Sequence, residues 1–393
     1  MFGSFRANLW KIYLFNFFVS LHFIGAVLVP FFTDWGGINF TQIMILQSWF
    51  MFWIFVLEVP TGTVADYLGR KHSLILGCVV NTIAVLVYAS MPNFYVFLIA
   101  EFLFAMAVAF FSGAGEAFVY DTLKKIGESK KSKEVFGRVE SFHLAGIMVA
   151  TPLGSIIAAQ FGLRAPMLLL TVPFTIAFFI ALTFKEPKTT KKIESTRYIN
   201  ILRDGVRFFY KNKTLKILAM DMISIATVAY FMIWLYQPML KQAGIGIAYF
   251  GIVHASFVIS QILIINNYEK LEKIFGSKKG LIFFSGAITG VMFIIGGLTS
   301  YIPLVLLVII VGGGFGLSRR PLFVSYMNKY IPSSKRATVL STISMLRRFV
   351  LVVVNPVVGL MVDWSLNYTL IILGVLAVFF SFASKIEENQ LID

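Results

Sequence analysis

The sequence predicts an all-α membrane protein whose twelve transmembrane helices form two pseudo-symmetric six-helix bundles. Composition is the first reason. Hydrophobic residues make up 58% of the 393 and charged residues only 13%, with a mean hydropathy of +0.83. A soluble domain carries about a quarter charged residues, so this chain has too little polar surface to face water. The second reason is spread: the apolar residues, 41 Phe among them, occupy the whole length, which excludes one anchor on a soluble domain. The third is that basic-rich and basic-poor connections alternate along the chain, which puts nearly all Lys and Arg on one side of the membrane.

A spanning helix needs roughly 20 mostly apolar residues. Twelve segments qualify: 10–33, 40–63, 72–91, 94–120, 136–160, 165–184, 214–237, 247–266, 279–299, 302–327, 336–361 and 367–384. Breaks are expected at Gly36-Gly37, Pro92-Asn93, Gly162, Pro238, Pro303, Pro332 and Asn367. The first segment is longer than the apolar core of a signal peptide and lacks a small-residue cleavage site, so it is read as a span. With the N-terminus inside, the inner segments collect 28 of the 34 Lys and Arg, and the outer loops only Arg164 and Lys241. Arg319, Arg320, Arg347 and Arg348 fall within helices. This positive-inside bias places both termini in the cytoplasm of a cell whose inner membrane holds the protein. It also accounts for the net charge of +15 through topology and anionic headgroups, so no nucleic acid partner is expected.

Residues 185–213 join the sixth and seventh spans and carry nine of the inner basic residues. Ile199, Leu202, Val206 and Phe209 recur there at helical spacing opposite Arg203, Arg207 and Lys211. That pattern predicts an amphipathic helix on the inner membrane face. The chain then reads as an N-terminal bundle (1–184), a linker (185–213) and a C-terminal bundle (214–393). Loose repeats support two related halves. Thr151-Pro152-Leu153-Gly154 in span five answers Asn355-Pro356-Val357-Val358-Gly359 in span eleven, and Gly69-Arg70-Lys71 answers Gly276-Ser277-Lys278-Lys279.

Between spans two and three runs Gly62-Thr63-Val64-Ala65-Asp66-Tyr67-Leu68-Gly69-Arg70-Lys71. Gly62 can permit close helix approach, and Gly69 a turn that other residues would strain. Asp66 can cap or face a helix N-terminus, and Arg70 and Lys71 can pair with carboxylates. This loop resembles the cytoplasmic signature of the major facilitator superfamily. The resemblance implies that fold, alternating access and usually a monomer. It also implies that Asp66 and Arg70, with Asp121 at the end of the fourth span, belong to a conformational latch. The counterpart loop of the second half keeps Gly276 and the basic pair but has Lys273 where the acid would fall. Two features depart from the drug–proton antiporters of the family: Glu101 stands in the fourth span where they often carry Arg, and the fifth-span Gly-Pro signature is reduced to Thr151–Gly154.

Charges inside a bilayer usually face a cavity or a partner, because an unpaired one costs roughly 2.5–3.5 kcal/mol. Glu101 and Glu116 are fifteen residues apart, about 60° around one helix, on a stripe with Ala105, Val108 and Ser112. Glu116 with Arg319 or Arg320 is the expected cytoplasmic gate, or else a static pair within one bundle. Arg347 or Arg348, near mid-depth, is a candidate contact for an anionic or zwitterionic substrate, or pairs with Glu101, Glu140 or Asp221. Tyr230 and Trp234 are further binding candidates, or part of an interfacial aromatic belt. Glu101 and Asp221 are the candidate proton-coupling carboxylates, with a purely structural role as the alternative.

The expected function is a secondary transporter moving a small solute, first by proton-coupled efflux and alternatively by proton-coupled uptake of a small anionic or zwitterionic metabolite. The chain has no Gly-x4-Gly-Lys-Ser/Thr loop for ATP. Its single cysteine, Cys78, and four scattered histidines supply no metal-ligand spacing. His22, His143 and His254 lie on separate spans, so a membrane-embedded enzyme, like a non-transporting receptor, is only a remote alternative, and no metal or organic cofactor is expected. Protons, membrane lipids and the solute are the expected partners.

Overall fold

The computed structural model describes residues 4–187, 195–332 and 335–392. Its described residues are almost all helical. Among the described residues, ten helices are long and apolar enough to cross a membrane. The other two expected spans are a broken first segment and a shorter apolar helix at the end of the chain, Leu366–Phe382. The chain separates into two compact units, Met1–Ile193 with Ile247–Ile252, and Glu194–Gly246 with Val253–Asp393.

The first unit opens with α1 (Ala7–Val19), a 3-10 turn (Gly25–Val27), the single turn α2 (Leu28–Pro30) and a π-turn (Phe31–Trp35). It continues through α3 (Phe40–Leu68), α4 (Arg70–Tyr88), α5 (Phe94–Lys125), α6 (Ser132–Phe161), α7 (Arg164–Leu169) and α8 (Thr171–Leu182). Several boundaries follow from local chemistry. Asn39 and Gln42 form a reciprocal capping box at the start of α3. Asn93 caps α5 by accepting from the Tyr95 amide at 2.8 Å. Gly69 turns the chain between α3 and α4 at φ +102°, where a side chain would be strained. Pro173 has no N–H to offer the Leu169 carbonyl, and the sixth span accordingly divides at Leu170 into α7 and α8.

The continuous helix expected over 10–33 is corrected to this broken segment. After α1 the chain leaves the helix at Ser20, whose Oγ lies 2.6 Å from His143 Nδ1 on α6. Irregular backbone at membrane depth persists only where protein covers it, and α6 supplies the cover. A Cβ at Gly146 would lie 2.6 Å from the Phe17 carbonyl oxygen. One at Gly154 would overlap the Phe23 carbonyl. Within Thr151-Pro152-Leu153-Gly154, Gly154 is therefore the position where a side chain would push span one away.

The second unit contains α9 (Ser195–Lys211), α10 (Lys213–Gln242), α11 (Phe250–Asn266), α12 (Tyr268–Ile274) and α13 (Lys278–Leu298). It ends with α14 (Ile302–Leu307), a π-turn (Val308–Gly312), α15 (Gly313–Lys329), α16 (Arg336–Trp364) and α17 (Leu366–Phe382). The expected break at Pro238 does not occur. Pro238 lies inside α10, and the chain turns instead after Gln242, at Gly244 with φ +77°. The last span begins under a cap from Ser365 to the Tyr368 amide, so Asn367 is helical. Helices α13 and α17 cross backbone to backbone: a Cβ at Gly290 would sit 2.6 Å from the Gly374 carbonyl, and one at Gly374 would sit 2.5 Å from the Gly290 carbonyl.

The linker helix α9 does more than lie on a membrane face. Its side chains through residue 202, Ile199 and Leu202 included, lie outside the described residues. Phe209 is 3% exposed in a core with Leu215, Leu218, Phe323 and Ile343, while Val206 is 37% exposed. Gly205 lets the helix press on Thr338 of α16. The docking face is thus centred on Gly205 and Phe209.

Overpacking a close contact typically costs about 1–3 kcal/mol. Gly154→Leu is expected to lower the apparent melting temperature of the detergent-purified protein by several degrees, read by thermal-shift chromatography. Gly137→Leu, where a Cβ would meet nothing within 4 Å, is expected to leave it unchanged. Equal melting of the two variants would refute the close-packing role of Gly154.

Candidate functional site

Polar chemistry among the described residues gathers in three kinds of feature: a charged turn in each unit, buried ionisable groups, and a cavity with polar groups in its wall in each unit.

In the first unit Gly69 ends α3 and starts α4. Arg70 Nη1 lies 2.8 Å from Asp66 Oδ1, and its Nε lies 3.9 Å from Asp121 Oδ2 at the end of α5. A fourth residue, unforeseen from the loop itself, organises the turn. Glu186 accepts the Arg70 amide at 2.9 Å with one oxygen and the Lys71 amide at 2.7 Å with the other. A carboxylate here satisfies two orphan N–H groups and faces the positive end of the α4 dipole. Lys71 Nζ donates to the Leu182 carbonyl at 2.7 Å, joining the turn to the end of α8. Gly62 does not have its expected packing role, since a Cβ there would meet nothing within 4 Å.

The second unit repeats this device with different residues. Gly276 turns at φ +82°, and Ser277 caps α13 through the Gly280 amide at 2.9 Å. Glu388 accepts the Lys278 amide at 3.0 Å and the Lys279 amide at 2.8 Å. The acid missing from the second loop motif is not replaced within the loop. The helix N-terminus is held by an acid beyond the last span, as Glu186 follows the sixth. Comparing the residues after α8 with those after α17 would have found both.

The buried charges pair in ways the sequence left open. Arg319 is 1% exposed, and its Nη2 lies 2.7 Å from Asp221 Oδ1. It also donates to the Ile282 carbonyl and Ser285 Oγ on α13 and stacks on Phe323. Arg319 is thus engaged by partners inside its own unit. Asp221, expected as a proton carrier, is the counterion of that arginine. Glu101 is different: it is 5% exposed, it accepts from Gln47 Nε2 at 2.9 Å, and Tyr88 also hydrogen-bonds it. No ion pair reaches it among the described residues.

Each unit also holds a polar cavity. In the first, a cavity of about 450 Å³ is bordered by Glu116, Glu140, His143, Asn16 and Ser112. In the second, one of about 250 Å³ is bordered by Arg320, Arg347, Tyr230 and Gln261, with Met222 and Ile233 as apolar walls. Arg320 and Arg347, from α15 and α16, thus meet at one place. Arg348 is not part of that lining. Trp234 is buried at 6% exposure away from the cavity, and its Nε1 has no hydrogen-bond partner.

Residues 9–349 match the Major Facilitator Superfamily. The chain belongs to this superfamily of membrane transporters. It is a multi-pass membrane protein whose partners are a small-molecule substrate and the lipid bilayer. Similar solved structures include the nucleoside transporter NupG, at 16% identity and TM-score 0.78, covering 98% of this chain and 100% of that one. They also include a bacterial homologue of the human lysosomal transporter Spinster, at 15% identity and TM-score 0.77, covering 99% of each chain. At those identities the likeness is one of fold. A glucose/galactose transporter of Brucella abortus biovar 1 (strain 9-941) is 24% identical over 178 residues. That alignment spans 42% of this chain and 42% of the relative's length.

Removing one partner of a buried ion pair costs about 3–5 kcal/mol, whereas an apolar pair of similar volume is often tolerated. Asp221→Leu alone and Arg319→Leu alone are each expected to reduce the yield of monodisperse protein sharply. The double variant Asp221→Leu/Arg319→Leu is expected to recover most of it. A double variant as unstable as the worse single one would show that the pair is more than mutual neutralisation.

Proposed function

We propose that this superfamily member is a proton-coupled secondary transporter for a small anionic or zwitterionic solute, with Arg320 and Arg347 holding the solute's acidic group. The observation that carries this reading is the cavity of the second unit, where two guanidinium groups, a phenol and an amide converge. Guanidinium groups make charge-assisted, often bidentate bonds to carboxylates and phosphates. Arg347 is half-buried and Arg320 exposed, and a neutral sugar offers no charge to pair with either guanidinium. The efflux expectation rested on the loop signature, which speaks to conformational control. The cavity speaks to solute chemistry and favours the second of the two expected readings.

Glu101 is the proposed proton site. It is buried, bonded to neutral partners and unpaired by any cation among the described residues, the environment in which a carboxyl group can exchange a proton within a transport cycle. Asp66, Arg70 and Asp121, with Glu186 bracing their turn, are the proposed latch. The basic residues of the connections support cytoplasmic termini in the inner membrane. The proposed organisation is bundle 1–184, linker 185–213 and bundle 214–393, working as a monomer.

The test is uptake into proteoliposomes under an imposed pH gradient. The panel comprises amino acids, small carboxylic acids, glucose, galactose and nucleosides. Acidic or zwitterionic members are expected to move with protons. Arg320→Gln and Arg347→Gln should each weaken apparent affinity about tenfold to a hundredfold, as loss of a charge-assisted bond implies. Glu101→Gln should abolish accumulation driven by the gradient yet retain exchange of solute across the membrane. Transport of a neutral sugar or nucleoside, unaffected by either arginine substitution, would refute the reading. Exchange and accumulation lost together in Glu101→Gln would remove Glu101 from proton coupling.

A further inference from the structure

A second basic cavity lies apart from the proposed solute site, in the groove between the start of α10 and the end of α17. It measures about 270 Å³ and is lined by Lys216, Ser224, Ser384 and Lys385, with Met220 and Phe380 among its apolar walls. Asp221 also borders it, but Arg319 neutralises that carboxylate at 2.7 Å. The lining therefore carries two uncompensated positive charges. Neither lysine has an ion-pair partner among the described residues. The Ser384 hydroxyl oxygen accepts from the Ile386 amide at 3.4 Å, which leaves its proton for an oxyanion. Ser224 Oγ is already donating to the Met220 carbonyl at 2.8 Å.

Position narrows the ligand. Lys216 lies three residues inside α10, about 4.5 Å along the axis, and Lys385 follows the last turn of α17. Both sit at the boundary where these helices leave the hydrocarbon. Beside the cavity the outer surface is strongly apolar: Met220 is 61% exposed, Phe379 60% and Phe382 72%. A free anion has no use for such a wall, whereas an acyl chain does. Basic clefts between helices at the membrane boundary suit anionic headgroups, and the lysine stems can lie along the apolar surface while their ammonium groups reach the phosphate.

We propose that this cleft is a binding site for the headgroup of an anionic phospholipid, its phosphate held by Lys216 and Lys385 with Ser384 donating a third bond. The site stands independently of the transported solute and of proton coupling.

The full chain, purified in mild detergent, would be titrated with phosphatidylglycerol and separately with phosphatidylcholine, with bound lipid counted by native mass spectrometry. Phosphatidylglycerol is expected to be retained and phosphatidylcholine not. Lys216→Gln/Lys385→Gln should weaken phosphatidylglycerol retention roughly tenfold to thirtyfold. Lys270→Gln/Lys273→Gln, which removes the same charge from α12, should leave it unchanged. Monodispersity and melting temperature would establish that each variant is folded. Equal retention of the two lipids, or equal loss in both double variants, would overturn the site. So would displacement of phosphatidylglycerol by millimolar inorganic phosphate, which would make the cleft a free-phosphate site.

Discussion

In hydrocarbon no water is present to satisfy an exposed peptide group, and this constraint governs the rest of the structure. Its effect is clearest where helix fails. Between Ser20 and Trp35 the first span passes through open chain, a 3-10 turn and a π-turn. Such a stretch persists because α6 presses against it, with Gly146 and Gly154 offering no side chain to hold it off. The same logic holds at the polar ends of helices. The exposed amides of α4 receive the Glu186 carboxylate, and those of α13 receive Ser277 and Glu388. Backbone satisfaction decides where glycines and acids are tolerated before any question of solute arises.

Buried charge obeys a parallel rule with two outcomes. Arg319 and Asp221 neutralise one another, and Nη1 of the arginine donates to the Ile282 carbonyl and Ser285 Oγ, while its Nε is left without a hydrogen-bond partner among the described residues. Each charge of that pair has its counterion within hydrogen-bond distance. Glu101 has amide and phenol neighbours but no counterion among the described residues. Burying a carboxyl group there without a counterion is costly. The contrast separates two carboxylates that look equivalent from position alone, each several residues inside a span.

Much of the fold was legible because its signal is local. Long apolar runs give the spans, and the turn at Gly69 is written in ten consecutive residues. What could not be read depended on distant partners. The first span is apolar throughout, so hydropathy reports a helix; its break arises from contact with residues more than a hundred positions away. Arg319 and Asp221 are 98 residues apart, and nothing near either names the other. Arg347 and Arg348 illustrate the middle case. The sequence left either residue open, and only the folded arrangement, with α16 beside α10, puts Arg347 in the cavity wall and leaves Arg348 out of it. Pro238 misled for a related reason: a proline near the end of a long helix gives up one hydrogen bond without ending it when neighbouring helices hold the backbone.

The two halves keep the same answer where the backbone asks the question and diverge where it does not. Glu186 and Glu388 differ in their surroundings and in the loops they brace, yet each follows the last span of its half and holds the third. Neither could have been retained by similarity of the loop motif, since the second loop lacks the acid of the first. The interiors show no such agreement: Glu116 and Glu140 border the cavity of one unit, Arg320 and Arg347 that of the other. A duplicated scaffold requires the carboxylate caps in both copies, because exposed amides are costly in either. It does not require opposite charges in the two cavities. That divergence is unexplained by folding alone, and it falls in the cavity walls rather than at the backbone caps.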